Sequence, residues 1–86
     1  MRIILHKNFN KKYKKLRLNE KKKFKGRRNL FLKNPFHPTL NNHPLHGKYV
    51  GYRSIGITGD LRVIYELLNK NTAFFVDMDI HSNLYS

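Results

Sequence analysis

Histidine, aspartate and arginine are the side chains of this sequence best able to move a proton or hold an anion. Their candidates stand at positions 43 to 85. His43, in the run His43-Pro44-Leu45-His46-Gly47, could take up or release a proton near neutrality, since an imidazole titrates at about 6.5. It reads equally well as a loop histidine bonded to backbone. His43 and His46 stand three apart, but no carboxylate or cysteine is near and Pro44 forbids a helical pair, so no metal site is expected. Asp60 follows Gly59, where turn chemistry alone accounts for an aspartate. Arg62 lies among Leu61, Val63 and Ile64, and an unpaired guanidinium buried there would be costly. It is therefore expected to face solvent, a partner or an anion. His81 and Tyr85 follow the last strand-like run, in a tail that could equally fray. Arg53 falls on the predicted core face near a strand end and reads as a snorkelling or ion-paired structural residue.

These residues need a scaffold, and the hydrophobic pattern supplies one. Ile3, Ile4 and Leu5 predict a short buried strand over residues 1 to 6. From Lys7, the residues Phe9, Tyr13 and Leu16 recur at i, i+4 and i+7, one face of a helix whose remaining surface carries Lys11, Lys12, Lys14 and Lys15. Asn19 is placed to cap a second helix, with Glu20 favourable in its first turn. That helix carries Phe24, Phe31 and Leu32 inward and ends at Asn34, because Pro35 pushes the preceding residue out of helical geometry. An ordered loop fills residues 35 to 44, and strands are expected over 50–57, 61–68 and 72–80. If Thr58-Gly59-Asp60 is a three-residue loop, Ile55 and Ile57 share a face with Leu61 and Val63. Ser54, Gly56, Arg62 and Ile64 share the other, which leaves Arg62 on an open face. The expected fold is α+β: an N-terminal strand at one edge, two helices, then a three-stranded antiparallel meander with both helices packed on one face of the sheet.

With 86 residues the chain is expected to form a single domain, residues 1–86, around a small core. It has no cysteine and no apolar run near the ~20 residues of a membrane span, and its opening is too short for a signal-peptide core, so a cytoplasmic protein is expected. Residues 1 to 35 hold fourteen Lys and Arg against Glu20 alone, whereas residues 36 to 86 balance four basic against four acidic residues. The whole net charge of +13 thus sits in the N-terminal part. Such a field suits a polyanion, because each neutralised phosphate releases counterions without any sequence readout. A solvated helix face and attraction to anionic lipid are the plainer alternatives.

Taken together, the motifs are more specific than any of them alone. Asn34-Pro35, His43-Pro44-Leu45-His46-Gly47, Gly51-Tyr52-Arg53-Ser54, Gly59 to Tyr65 and His81-Ser82-Asn83-Leu84-Tyr85 occur in that order behind a basic helical pair. This arrangement resembles the YafQ-like branch of the RelE/ParE toxin superfamily over nearly the whole chain. The resemblance implies a RelE-like fold and a type II toxin that cleaves mRNA on the ribosome without a cofactor, held in check by a cognate antitoxin protein. The family's RNA-cleaving site maps onto His43, Asp60, His81 and Tyr85, and Arg62 matches an arginine that the wider superfamily uses to stabilise phosphate charge. Two positions depart from the pattern. Gly56 stands where the branch carries a further histidine, and Asp79 replaces the glycine that opens the C-terminal motif.

Metal-free cleavage of RNA needs a base for the ribose 2′-hydroxyl, a cation for the phosphorane and an acid for the departing 5′-oxygen. His43 and His81 are assigned to the two proton roles without ordering them, and Arg62 to the phosphate. Asp60 would orient a histidine or act as base, and Tyr85 would stack on a base or bind phosphate. Lys11, Lys12, Lys14 and Lys15 are the expected RNA contacts. A non-catalytic basic RNA- or ribosome-binding module on the same fold would explain the charge equally well, but not the joint match of His43, Asp60, Arg62, His81 and Tyr85; a ParE-like gyrase inhibitor is a second alternative, from a branch that lacks the paired histidine motifs.

Overall fold

The computed structural model describes residues 1–80. Five strands form one mixed sheet in the order β1-β5-β4-β3-β2. They are β1 (Arg2–Leu5), β2 (His43–Pro44), β3 (Arg53–Gly56), β4 (Leu61–Asn69) and β5 (Thr72–Ile80), with helices α1 (Lys7–Lys14) and α2 (Leu18–Lys33) between β1 and β2. The expected α+β class holds. The meander β3-β4-β5 is antiparallel throughout, and β1 adds to its edge parallel to β5, pairing Ile3 with Ala73 and Leu5 with Phe75.

Both helices lay aromatic rings on one face of the sheet. Phe75 lies at the centre, with ring centroids 5.8 Å from Phe9, 6.2 Å from Phe24, 5.5 Å from Phe31 and 6.0 Å from Tyr65. Each fully buried ring of this kind contributes about 1.5–3 kcal/mol through burial, so this cluster supplies much of what so short a chain can bury. Ile55, Ile57, Leu61, Val63 and Ala73 complete it from the sheet side. Their shared face follows from the β3–β4 register, in which Ile55 lies opposite Val63 and Gly56 opposite Arg62. The three-residue turn is held by Thr58 Oγ1, which accepts the N–H groups of Asp60 (3.2 Å) and Leu61 (2.9 Å).

Several expectations shift. The N-terminal strand takes the expected edge position but is not buried: Ile3 packs on the core, while Ile4 and Leu5 are exposed. Helix α2 starts two residues early because Glu20 Oε1 accepts the Arg17 N–H at 2.9 Å, making Arg17 the cap and placing Asn19 in the first turn. Leu30 packs inward in the place expected of Leu32, and Leu32 is exposed. The two leucines flank Phe31 by about 100° on opposite sides, and the core cluster takes up only the Leu30 flank. Strand β3 begins at Arg53 rather than at residue 50, because Gly47–Tyr49 form a 3-10 turn with Gly47 at φ +66° and Gly51 at φ +91°. Those backbone angles suit glycine and break an extended run.

Helix α1 also finishes the sheet's edge. Beyond Phe75, β5 has no pairing with β1, and there the ammonium of Lys12 donates to the Met78 carbonyl at 3.1 Å and pairs with Asp77 Oδ1 at 2.9 Å. Among the described residues, no helix is long and apolar enough to cross a membrane.

Candidate active site

The face of the sheet turned away from the helices carries Ser54, Gly56, Arg62 and Ile64, as the register requires. It is not open. Arg62 is 5% exposed, and Ile64 and Leu45 are buried apart from the main aromatic core. The guanidinium is accommodated by hydrogen bonds: Nε donates to Ser54 Oγ at 2.9 Å, and NH2 donates to the carbonyls of Asn41 (2.8 Å) and Ser54 (3.3 Å). A lone guanidinium would be costly at this depth, and these acceptors remove that cost. The open face expected for Arg62 is thus corrected to a covered one. The segment before β2 folds over the strand and supplies a backbone acceptor, the Asn41 carbonyl, which no periodicity reveals.

Gly56 leaves room for that fit. A Cβ at this position would stand 3.2 Å from Arg62 NH1 and 3.6 Å from the Leu40 carbonyl. The guanidinium therefore occupies space that a side chain at position 56 would crowd. Asp79, the second departure from the family pattern, pairs with Arg62 across β4 and β5.

The Asn41 carbonyl that receives Arg62 also receives His43, whose Nδ1 lies 2.7 Å from it. A carbonyl only accepts, so Nδ1 carries the hydrogen and Nε2 bears the lone pair of the neutral ring. Two other histidines are used in the opposite sense. His6 Nδ1 accepts the Asn8 N–H at 3.0 Å and caps α1, and His37 Nδ1 accepts the Thr39 N–H at 3.1 Å and caps the 3-10 turn Pro38–Leu40. Asn41 itself is left-handed, at φ 47° and ψ 50°, a conformation that asparagine tolerates better than most residues. This turn aims its carbonyl back at both His43 and Arg62. The short strand β2 then pairs His43 with Ser54, whose hydroxyl accepts Arg62 Nε.

Asn42 holds the same loop down. Its Nδ2 donates to Tyr65 Oη (2.7 Å) and the Pro35 carbonyl (2.9 Å), and its Oδ1 accepts Arg53 Nε (2.8 Å). Arg53 stacks over Phe36 at 5.3 Å, so it is the structural residue the sequence suggested. Burial raises the Tyr65 phenol above its ordinary range, and the Asn42 hydrogen bond and the Arg53 charge offset part of that rise.

The structure thus joins His43 and Arg62 through one carbonyl. Asp60 sits exposed at the tip of the β3–β4 turn, two residues before Arg62. His81 and Tyr85 lie outside the described residues. Of the four expected RNA-binding lysines, Lys11, Lys14 and Lys15 are exposed cations on or just after α1, while Lys12 is engaged with Asp77 and Met78 on β5. Sequence reasoning missed Asn41, Asn42 and Ser54. Asparagine before a short His-Pro strand is the one signal that could have marked the loop. Among the described residues, no group of three or more histidines and carboxylates is close enough to hold a metal ion.

The sequence matches the family described as bacterial toxin of type II toxin-antitoxin system, YafQ, over residues 1–86. No curated protein matches it. Among solved structures, it is similar to YafQ from E. coli strain BL21(DE3), with 26% identity, full coverage of both chains and a TM-score of 0.73. It is also similar to a chain of the E. coli DinJ-YafQ complex, with 25% identity, full coverage of both and a TM-score of 0.74. A metal-bound toxin from Helicobacter pylori is 30% identical over 99% of each chain, with a TM-score of 0.68.

Proposed function

This chain belongs to the YafQ family of bacterial type II toxins, within the RelE/ParE superfamily, and from that premise we propose that it is an endoribonuclease that cuts mRNA and so inhibits translation. The observation that carries the reading is the Asn41 carbonyl, which accepts both His43 Nδ1 and Arg62 NH2. It fixes a histidine with its lone pair on Nε2 beside a buried, permanently charged guanidinium.

In the proposed reaction, one histidine takes the ribose 2′-hydroxyl proton, the 2′-oxygen attacks phosphorus, and the 5′-oxygen leaves with a proton from a second acid. The products are a 2′,3′-cyclic phosphate and a 5′-hydroxyl. His43 and His81 share the proton roles, and Arg62 adds positive charge where negative charge develops. Asp60 orients a histidine or serves as base, and Tyr85 stacks on a base or contacts phosphate. A protein side chain receives the 2′-hydroxyl proton and another delivers one to the 5′-oxygen, so the step needs no metal or cofactor. Lys11, Lys14 and Lys15 contact RNA electrostatically, and Lys12 contributes field while tied to β5. The chain acts as a single domain on ribosome-bound mRNA in the cytoplasm. A cognate antitoxin partner is supported by the DinJ-YafQ complexes of its structural relatives.

Primer extension on mRNA, with and without ribosomes, tests the reading. The intact chain should cut, His43→Gln and His81→Ala should each cut at least about 100-fold more slowly, and EDTA should not abolish cleavage of a free RNA. A chain that leaves RNA intact both on and off the ribosome would end the proposal.

A further inference from the structure

We infer that a second cleft, beside the His43–Arg62 pair, is a stacking subsite for one nucleobase of a single-stranded RNA. This assignment rests on the RNA reading above and concerns a nucleotide next to the one that is cut.

The cleft has a volume of about 360 Å³ and opens on the sheet face that carries Arg62. That volume lies at the small end of the roughly 300–1,000 Å³ typical of small-molecule sites, so it suits a single base rather than a helix. The pair His6 and Phe74 lines the cleft, with ring centroids 5.5 Å apart and planes inclined by 50°. His6 is fixed there because its Nδ1 caps α1. Tyr49 and Tyr52 also line it, edge to face at 6.4 Å, and backbone hydrogen bonds from Tyr52 N–H to the Tyr49 carbonyl and from Leu45 N–H to the Tyr52 carbonyl hold them.

All four rings are only half-buried, which leaves aromatic surface in an otherwise strongly charged protein. The Lys48 ammonium stands 5.2 Å from the Tyr49 ring centre, at the rim. Four lining rings with a cation beside them match a nucleotide, whose planar base stacks while its phosphate stays outside. Asn8 and Asp77 also line the cleft and offer hydrogen-bonding groups for a base edge. The Asp77 charge is balanced by Lys12 at 2.9 Å. An aliphatic peptide side chain would gain less from the lining rings and nothing from Lys48.

Position ties the cleft to the candidate active site. Asp77 pairs with Ile64 and Asp79 with Arg62 across the same two strands. The cleft therefore begins two residues along the strand from the Arg62 pair, roughly 7 Å at about 3.4 Å per residue.

The test measures binding of a short single-stranded RNA made uncleavable by one 2′-deoxy substitution, with an abasic site introduced at each flanking nucleotide in turn. One flanking position should lose about 5- to 150-fold in affinity, the range of a single base–aromatic stack. Tyr52→Leu should show the same loss with intact RNA and no further loss with the abasic RNA. Tyr49→Ser, which alters an irregular turn rather than a strand, repeats the test should Tyr52→Leu fail to fold. Affinity indifferent to every abasic position, in a chain that still binds and cuts RNA, overturns the subsite and leaves the ribonuclease reading standing. So do ring variants that bind RNA normally but lose the antitoxin, which make the cleft a protein site. A wild-type chain that binds no RNA at low salt overturns both.

Discussion

Ser54→Ala probes how the buried guanidinium is held. Ser54 is fully buried and its hydroxyl accepts Arg62 Nε at 2.9 Å, in a place where water cannot replace it. A hydrogen bond to a charged group is worth about 1.5–3 kcal/mol, and a buried charged donor left without its partner sits at the upper end of that range. At about 4–8 °C per kcal/mol for a domain of this length, the substitution should lower Tm by roughly 6–24 °C. Thermal and urea unfolding of Ser54→Ala, Arg62→Met and the double variant close a double-mutant cycle. The Ser54→Ala cost should fall by about 1.5 kcal/mol or more once Arg62 is methionine, because the unpaired donor is then gone. Cleavage should fall as well, since the loosened guanidinium shares the Asn41 carbonyl with His43. A Ser54→Ala Tm within about 2 °C of wild type, or a cycle with no coupling, would refute the account of Arg62 as a fixed, satisfied cation.

The same geometry governs three further outcomes. Because burial raises the Tyr65 phenol, the unfolded chain ionises first as pH climbs past about 10, so the folded state loses stability from there upward. Tyr65→Phe gives up the Asn42 hydrogen bond, about 1 kcal/mol, but removes this alkaline loss, and urea titrations from pH 8 to 11 should show the two proteins converging. Asn41→Gly should keep wild-type stability and cleavage, whereas Asn41→Val at φ 47° should cost about 1–2 kcal/mol by urea unfolding and slow cleavage by displacing the shared carbonyl. Replacing Lys11, Lys14 and Lys15 by Gln should flatten the slope of log RNA affinity against log salt by up to about 0.7 for each lysine that touches a phosphate. Thermal melts of the triple variant should match wild type, while Lys12→Gln should also lower Tm slightly, as a partly exposed ion pair contributes only about 0–1 kcal/mol.

Much of this architecture is legible in the sequence where a repeat distance fixes a face. Phe9 and Tyr13 on α1, Phe24 and Phe31 on α2, and the Ile55–Val63 pairing follow from periods of 3.6 and 2 and from a three-residue turn. Periodicity is silent on direction and on what comes from elsewhere in the chain. It does not say that β1 runs parallel to β5, that Leu30 packs in place of Leu32, or that a two-residue strand seats His43 against Ser54. The chemistry divides in the same way. The motifs draw attention to His43 and Arg62, and solvation physics requires that Arg62 find partners. The partner is a carbonyl of left-handed Asn41, set by a loop whose shape no repeat encodes. Lys12 shows the converse: on a helical wheel it is one cation among several, and only the incomplete β1–β5 pairing singles it out.

That incomplete pairing bears on self-association. An exposed strand edge is a template for another copy's backbone, a particular hazard for a small chain with exposed Ile4 and Leu5. Here β5 is guarded past Phe75 by an ammonium seated on the Met78 carbonyl. At the other side of the sheet the outermost strand is two residues long and ends in Pro44, which has no N–H to offer a neighbour. Edge-to-edge growth is thus discouraged at β2 and along the part of β5 that β1 leaves unpaired, by residues already present for other reasons. Removing the Lys12 ammonium should therefore raise the tendency to form cross-strand aggregates even where folding stability barely changes.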